Sequence, residues 1–414
     1  MKKTTTLAIA FVMALSLAAC GDDKESAEAA INENVSVQAS TAKEPDAANE
    51  AETATPTPAP EPTVEPTPEP AEPTVAFVEP AAEDFKYTYD AALGGLVITQ
   101  YTGEAEAVRF PAEIDGEPVR EIGISRNRVI TQVELPESVA NFWFDWCSNL
   151  TSIIIPDGVT SIGNGPSATG AFEGCSSLTE VIIPDSVTEI GDGAFNGCSS
   201  LTEISLPAGL TKIDLNMLAG CSSLTNITIP DSVTEIGVGA FAGCSSLTEI
   251  IIPDSVTSIG VRAFSGCSSL TEIIIPDSVT SIGGGAFADC SSLTNITMPD
   301  SVTIIDENMF GGMFSGCSSL TEVTIPNGVT SISDGMFWNC ESLTNVIIPD
   351  SVTSIGNGAF SGCSSLRNLT IPDSVTSIRG RILKSGGAFS GCKGLTVTYQ
   401  GQEYTYASDT DWWD

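Results

Sequence analysis

No histidine occurs anywhere in the 414 residues. That absence removes histidine-based triads, histidine zinc sites and the usual general base near neutral pH. Basic residues are scarce, with 16 lysines and arginines against 53 acidic residues and a formal net charge of −37. A chain so acidic will not bind nucleic acid by neutralising phosphates, and it repels its own kind and anionic surfaces. After the first twenty residues no apolar run is long enough to span a bilayer. From Gly21 to about Asp84 large apolar side chains are almost missing, so this stretch cannot bury a core.

Residues 1–20 read MKKTTTLAIAFVMALSLAAC. Lys2 and Lys3 form a positive n-region, and Leu7 to Leu17 form a short apolar segment, the layout of an export signal rather than a spanning helix. Leu17-Ala18-Ala19-Cys20 resembles the bacterial lipobox, which implies cleavage before Cys20 and lipid on its sulfur. The expectation is a signal peptide over 1–19 and a lipidated, disordered tether over 20–84. Its TPTPAPEPTVEPTPEPAEPT stretch, Thr55 to Thr74, favours polyproline II. At about 3.1 Å per residue it extends roughly 60 Å, enough for a spacer.

Eleven cysteines follow Cys20, and seven of the ten intervals between them are 23 residues. The longer intervals carry insertions at one phase of the unit, near Pro166, Gly311 and Arg381. A fixed period with insertions at one phase predicts a solenoid whose coils stack. A single unit carries about six large apolar side chains. They cannot offset the entropy of ordering 23 residues, so the array folds only because neighbours share their faces.

Each unit follows Leu-x-x-Ile-x-Ile-Pro-Asp-Ser-Val-Thr-x-Ile-Gly-x-Gly-Ala-Phe-x-Gly-Cys-Ser-Ser. Ile250 and Ile252 alternate and are β-branched, which predicts a strand ended by the Pro253 turn. Asp254 in that turn is expected to bond its own backbone. Val-Thr-Ser-Ile allows a second short strand. Gly-x-Gly permits positive φ, and Ala-Phe-x-Gly-Cys suits one helical or 3₁₀ turn.

The phrase IPDSVTSIGxGAFxGCSSLT resembles the BspA-like class of leucine-rich repeats of bacterial surface proteins, over about Val129 to Thr396. Gly94 to Gly123 resembles that family's leading hairpin and first coil, and Leu395 to Tyr406 its trailing hairpin. The resemblance implies a mostly β, right-handed leucine-rich-repeat solenoid with a parallel sheet, short helical turns opposite it and β-hairpin caps, preceded by a disordered linker. The segments are then an N-terminal cap over 85–128, an array of about eleven 23-residue units over 129–394 and a C-terminal cap and tail over 395–414. It also implies a membrane-anchored lipoprotein exposed on the bacterial cell surface that binds host or bacterial surface proteins, without nucleic acid, cofactor or catalysis. The competing reading is a structural or self-associating envelope rod.

Four groups of residues invite chemistry. The cysteine column, Cys175, Cys198, Cys221, Cys244, Cys267, Cys290, Cys317, Cys340, Cys363 and Cys392 with Cys147 before it, reads as a buried, reduced ladder. Stacked side chains point the same way, and an odd number cannot pair fully. Without CxxC or histidine it is not a zinc site. The Asp column after Pro (Asp185, Asp231, Asp254, Asp277, Asp300, Asp350, Asp373) lacks the ligand-dense pattern of calcium solenoids, so no metal is assigned. The Gly-x-Gly steps recur in every unit without the Lys of a phosphate loop, which assigns them to turn geometry. Phe142, Trp143, Phe144 and Trp146 crowd a degenerate coil in which Cys147 follows Pro136 by eleven positions against fourteen in a regular unit, and are expected to fill it.

The candidate ligand face is formed by the outward strand positions. One column runs Ser152, Glu180, Glu203, Asn226, Glu249, Glu272, Asn295, Glu322, Asn345, Asn368. Beside it run Ile154, Ile182, Ser205, Thr228, Ile251, Ile274, Thr297, Thr324, Ile347, Thr370. These make an acidic-amide stripe beside an Ile/Thr stripe, suited to a partner such as a basic protein segment. Equally, Ile and Thr are good strand residues and Glu or Asn keeps a sheet soluble.

Overall fold

A computed structural model describes residues 76–163, 170–305, 311–379 and 387–405. The chain divides into two units, Met1–Ala71 and Glu72–Asp414, and every described residue lies in the second. Cys20, the signal segment, most of the tether, the insertions at Pro166 and Arg381 and the tail beyond Thr405 lie outside the described residues. Gly311, at the edge of the third insertion, is described.

The 23-residue rhythm sets two parallel ladders. In one coil the first strand is Glu272–Ile274 and the second is Ser281–Ile282. Glu272, Ile273 and Ile274 pair in parallel with Asn295, Ile296 and Thr297 of the next coil. The second strands run in unbroken parallel order through Lys212–Ile213, Glu235–Ile236, Ser258–Ile259, Ser281–Ile282 and Ile304–Ile305. Parallel pairing places each residue on its own repeat-mate, so a column in the sequence becomes a column in space.

Between the strands, Pro276-Asp277-Ser278-Val279 turns the chain, closed by the Val279 amide donating to the Pro276 carbonyl at 3.0 Å. The Ser278 hydroxyl donates to the Val256 carbonyl one coil earlier at 2.6 Å. Among the described residues no hydrogen bond closes this turn from an Asp of the column onto its own backbone, contrary to expectation. Asp300 instead accepts from the Asn327 amide, at 2.9 Å, and from its Nδ2, at 3.1 Å, in the following coil.

The expected helical turn does not form, and the reason is a division of donors. In 262–267 the amides of Ala263, Ser265 and Cys267 close i to i+3 turns onto Gly260, Arg262 and Phe264. The alternate amides of Arg262, Phe264 and Gly266 donate outward to Gly284, Ala286 and Ala288 of the next coil. A helix needs consecutive amides bonded inside one segment, and every second one here is spent on stacking. Among the described residues the one 3₁₀ element is Ala82–Asp84, before the array.

The interior is a set of columns of Leu, Ile, Val, Phe and Cys, nearly all fully buried. Phe rings stack coil on coil: Phe264 lies 5.3 Å from Phe241 at 4° and 5.6 Å from Phe287 at 1°. Leu218 interrupts this stack between Phe195 and Phe241. Close stacking also explains the Gly after the second strand. A Cβ on Gly260 would lie 2.5 Å from the Gly237 carbonyl carbon and 2.6 Å from the Val238 nitrogen.

Hairpins cover both ends of the ladders. Phe85–Asp90 pairs antiparallel with Gly95–Tyr101, which pairs in parallel with Glu117–Gly123 and, through it, with Asn141–Trp143. At the far end Thr396–Tyr399 extends the first ladder on Asn368–Ile371 and folds back antiparallel as Gln402–Thr405. Ordered pairing starts earlier than the expected tether boundary at 84. The Val78 amide donates to Ala107 and the Val78 carbonyl accepts from Arg109, both at 2.9 Å, so this segment covers the leading edge strand. In the degenerate coil Phe142, Trp143 and Phe144 fill the interior, but Trp146 is half exposed. It occupies the positive-φ position before the cysteine, φ 57°, and lies across Gly174 rather than in the core.

Candidate ligand-binding face

The outward positions of the first ladder line up coil on coil, although its strands pair only in separate short sheets and the coils at 203–205, 226–228 and 249–251 carry no strand beyond the bridge of Thr228 with Ile251. Glu180, Glu203, Asn226, Glu249, Glu272, Asn295, Glu322, Asn345 and Asn368 are all exposed. Extended alternation explains this, because Val181, Ile204, Ile227, Ile250 and Ile273 between them point inward and are buried, although the strand expected at Ile250 and Ile252 is reduced to the bridge of Ile251 with Thr228. Beside the polar column, Ile182 is 67% exposed, Ile251 81%, Ile274 55% and Ile347 53%, and Ile154 is half exposed. Register brings Ile154 directly beside Ile182, and Ile274 beside Thr297. These isoleucines are neither core nor cap. Ile154 with Ile182 and Ile251 with Ile274 are the apolar pairs this face offers, separated by Ser and Thr of the same column.

The threonines bordering this face point their hydroxyls along the stack. Thr248 Oγ1 donates to the Thr225 carbonyl at 3.4 Å and Thr294 Oγ1 to Thr271 at 3.1 Å. They tie coil to coil. The Glu and Asn side chains and the isoleucines are therefore what this face offers a partner.

The cysteine column lies elsewhere, in the core. All eleven described cysteines are buried and unpaired. Each thiol donates to a carbonyl of the preceding coil, as Cys267 does to Phe241 at 3.2 Å and Cys290 to Phe264 at 3.1 Å. Burial pushes the thiols of Cys244, Cys290 and Cys340 up to about 12. For Cys363 the hydrogen bond with the Cys392 thiol, ahead of burial, raises it further. A thiol so held is neither a nucleophile nor a ligand. Among the described residues no cluster of three His, Cys, Asp or Glu side chains stands ready for a metal ion. The Gly-x-Gly steps serve the turn: Gly193 and Gly197 sit at φ 61° and 76°, and Asn216, Arg262 and Asp289 take the same conformation in other coils.

Column reading by itself missed two surface features. Trp338 is half exposed in a turn position held by Ser315 and Ser361 in the flanking coils. The cations are polarised along the array. Residues 129–366 hold 25 acidic and two basic residues, whereas 367–394 hold five basic and one acidic. A charge count by coil would have found the second.

Parallel ladders repeated at 23 residues, a buried Leu/Ile/Phe/Cys interior, hairpin ends and an open strand face define a leucine-rich-repeat solenoid, a scaffold that binds along its repeated surface. The chain belongs to the family described as BspA type leucine-rich repeat region (6 copies), matched over residues 137–268, 211–313 and 311–406. Among solved structures, a leucine-rich repeat protein from Bacteroides ovatus is 27% identical, covers 76% of this chain and 86% of its own, and has a TM-score of 0.59. A leucine rich cell surface protein from Faecalibacterium prausnitzii is 30% identical, covers 79% of this chain and 96% of its own, and has a TM-score of 0.53. No curated protein matches the chain. Among the described residues no helix is long and apolar enough to cross a membrane.

Proposed function

We propose that this chain is a lipid-anchored, non-catalytic binding module on the bacterial cell surface, whose first-ladder face captures protein or cell-envelope partners. The observation that carries the reading is the exposed pair Ile251 and Ile274, 81% and 55% exposed within the Ile/Thr column, beside an unbroken Glu/Asn column. Similarity to a leucine rich cell surface protein supports display outside the cell. The export segment and Cys20 support lipid as the anchor, and the Pro-rich stretch supplies reach. Many tethered copies turn weak single contacts into firm attachment.

Two experiments test this. Cys20→Ala should move the protein from the membrane fraction to the medium or periplasm and abolish incorporation of labelled fatty acid; retention in the membrane sinks the anchor. The released chain should capture envelope components or matrix proteins in a pull-down at two salt concentrations. Ile251→Asn with Ile274→Asn should abolish that capture without unfolding the array. Capture that survives both substitutions removes the strand face from the proposal.

A further inference from the structure

We infer that the leading edge of the first ladder is an acceptor for an extended segment of a partner protein, closed in this chain by a strap of its own residues 77–79. Sheet order carries it first. Ala107–Arg109 is the outermost strand of the leading four-stranded sheet, with Gln132–Glu134 paired on one side. On its other side, among the described residues, stands a single residue in parallel register, Val78 opposite Val108. The Val78 amide donates to the Ala107 carbonyl and the Arg109 amide donates to the Val78 carbonyl, both at 2.9 Å. These are the bonds that an added parallel strand makes to an edge. The trailing strand Thr396–Tyr399 is closed differently, by all four residues of Gln402–Thr405. An edge closed by one residue is where a further strand can add.

The chemistry around Arg109 states what the edge reads. Arg109 Nε and Nη2 each lie 2.8 Å from Glu134 Oε2 of the paired strand. Its remaining nitrogen, Nη1, lies 3.5 Å from Glu79 Oε1, and its guanidinium carbon lies 6.0 Å from the centre of the Phe77 ring. In an extended segment residues i and i+2 share a side, so Phe77 and Glu79 both reach Arg109 while Val78 turns the other way, beside Val108. The ligand that fits is an extended aromatic, β-branched, acidic triplet, whose backbone fills the edge and whose outer side chains take Arg109 together. The strap that supplies this triplet in cis is loosely held. Val78 is 49% exposed, and the Glu79 and Arg109 side chains are 71% and 45% exposed. An ion pair so open to water adds little, so the strap rests on two backbone bonds and yields to the same chemistry supplied in trans. The site lies at the sheet edge, ahead of the outward columns that begin at Ser152, and does not depend on the reading of their face.

The test uses the full chain released by Cys20→Ala and a labelled peptide, Val-Ala-Phe-Val-Glu-Pro, the sequence of residues 75–80. Val78→Pro in that chain removes the amide that bonds Ala107 and frees the edge. Val78 is exposed, so circular dichroism should match the parent. Hydrogen exchange at the Arg109 amide, which donates to Val78, should quicken at least about tenfold in the variant, with the Phe264 amide unchanged. Added peptide should restore the protection. By fluorescence anisotropy the peptide should bind the Val78→Pro chain at least about tenfold tighter than the parent, and Arg109→Gln in the same chain should undo most of that gain. The peptide with alanine for phenylalanine and lysine for glutamate should bind at least about tenfold more weakly. Unchanged Arg109 exchange in the variant overturns the inference, as does a peptide that binds neither chain or both equally. Equal binding of the altered peptide removes the stated chemistry. A parent that dimerises in sedimentation velocity and is dissociated by the peptide gives the edge to a second copy's strap and overturns the partner as occupant.

Discussion

Phe264→Ala tests the stacking on which every surface depends. Phe264 is fully buried between Phe241 and Phe287, with centroids 5.3 and 5.6 Å away. Truncation leaves a cavity between two rings fixed by their own coils, a change worth about 3–5 kcal/mol. In a solenoid that cost falls on one coil and its two neighbours. The buried thiols report it coil by coil, because a thiol reagent reaches them only when a coil opens. Labelling followed residue by residue by mass spectrometry should rise by up to roughly 10²–10⁴-fold at Cys267 and its neighbours Cys244 and Cys290. Cys175 and Cys392 should change far less. Phe264→Leu should cost less than Phe264→Ala, because Leu218 already holds the equivalent position. An equal rise at all eleven thiols would refute the nearest-neighbour argument and show the array opening as one body. No rise at Cys267 would refute the burial itself.

The thiols also set an alkaline limit. Burial raises Cys147, Cys244, Cys290 and Cys340 from an ordinary 9.0 to about 12. The unfolded chain releases these protons first, so their contribution is intact below about pH 9 and is lost as pH rises toward 12. At pH 10 the loss is about 1.4 kcal/mol per thiol, and urea midpoints measured from pH 8 to pH 11 should fall accordingly; a flat profile would contradict the buried ladder. Gly260→Ala should destabilise the array strongly, since its Cβ would enter the backbone of the preceding coil, and a thermal midpoint within a degree of the parent would refute that packing. At Gly266, φ 76°, Asn should cost less than Ala, because Asp289 and Asn339 hold that conformation in other coils; the order of the two thermal midpoints checks it.

Much of the fold could be read from the chain because a repeat announces its own period. Ile250, Ile252, Val256, Ile259, Phe264 and Cys267 recur in phase, and each recurrence repeats one statement about burial. The outward columns followed from strand alternation, and the exposure of Ile251 and Glu249 agrees with it. Single departures were harder. Trp146 was expected inside, but its neighbours Phe142 and Phe144 already fill that coil, and its positive φ turns it over Gly174. Val78 has no period to announce it, and its pairing depends on a strand edge thirty residues away.

The sequence by itself determined the coil length, the columns of the core and the residues facing water, since each depends on local periodicity and on side-chain polarity. Only the tertiary structure decided how backbone donors are shared. Ala-Phe-Ser-Gly-Cys is compatible with a helical turn in isolation. Stacking claims the amides of Phe264 and Gly266 for the next coil, and no helix can form from what remains. The polarity of the strand face follows the same logic: Arg367 and Lys393 lie 26 residues apart in the chain, and only the closing of the last coil makes them neighbours.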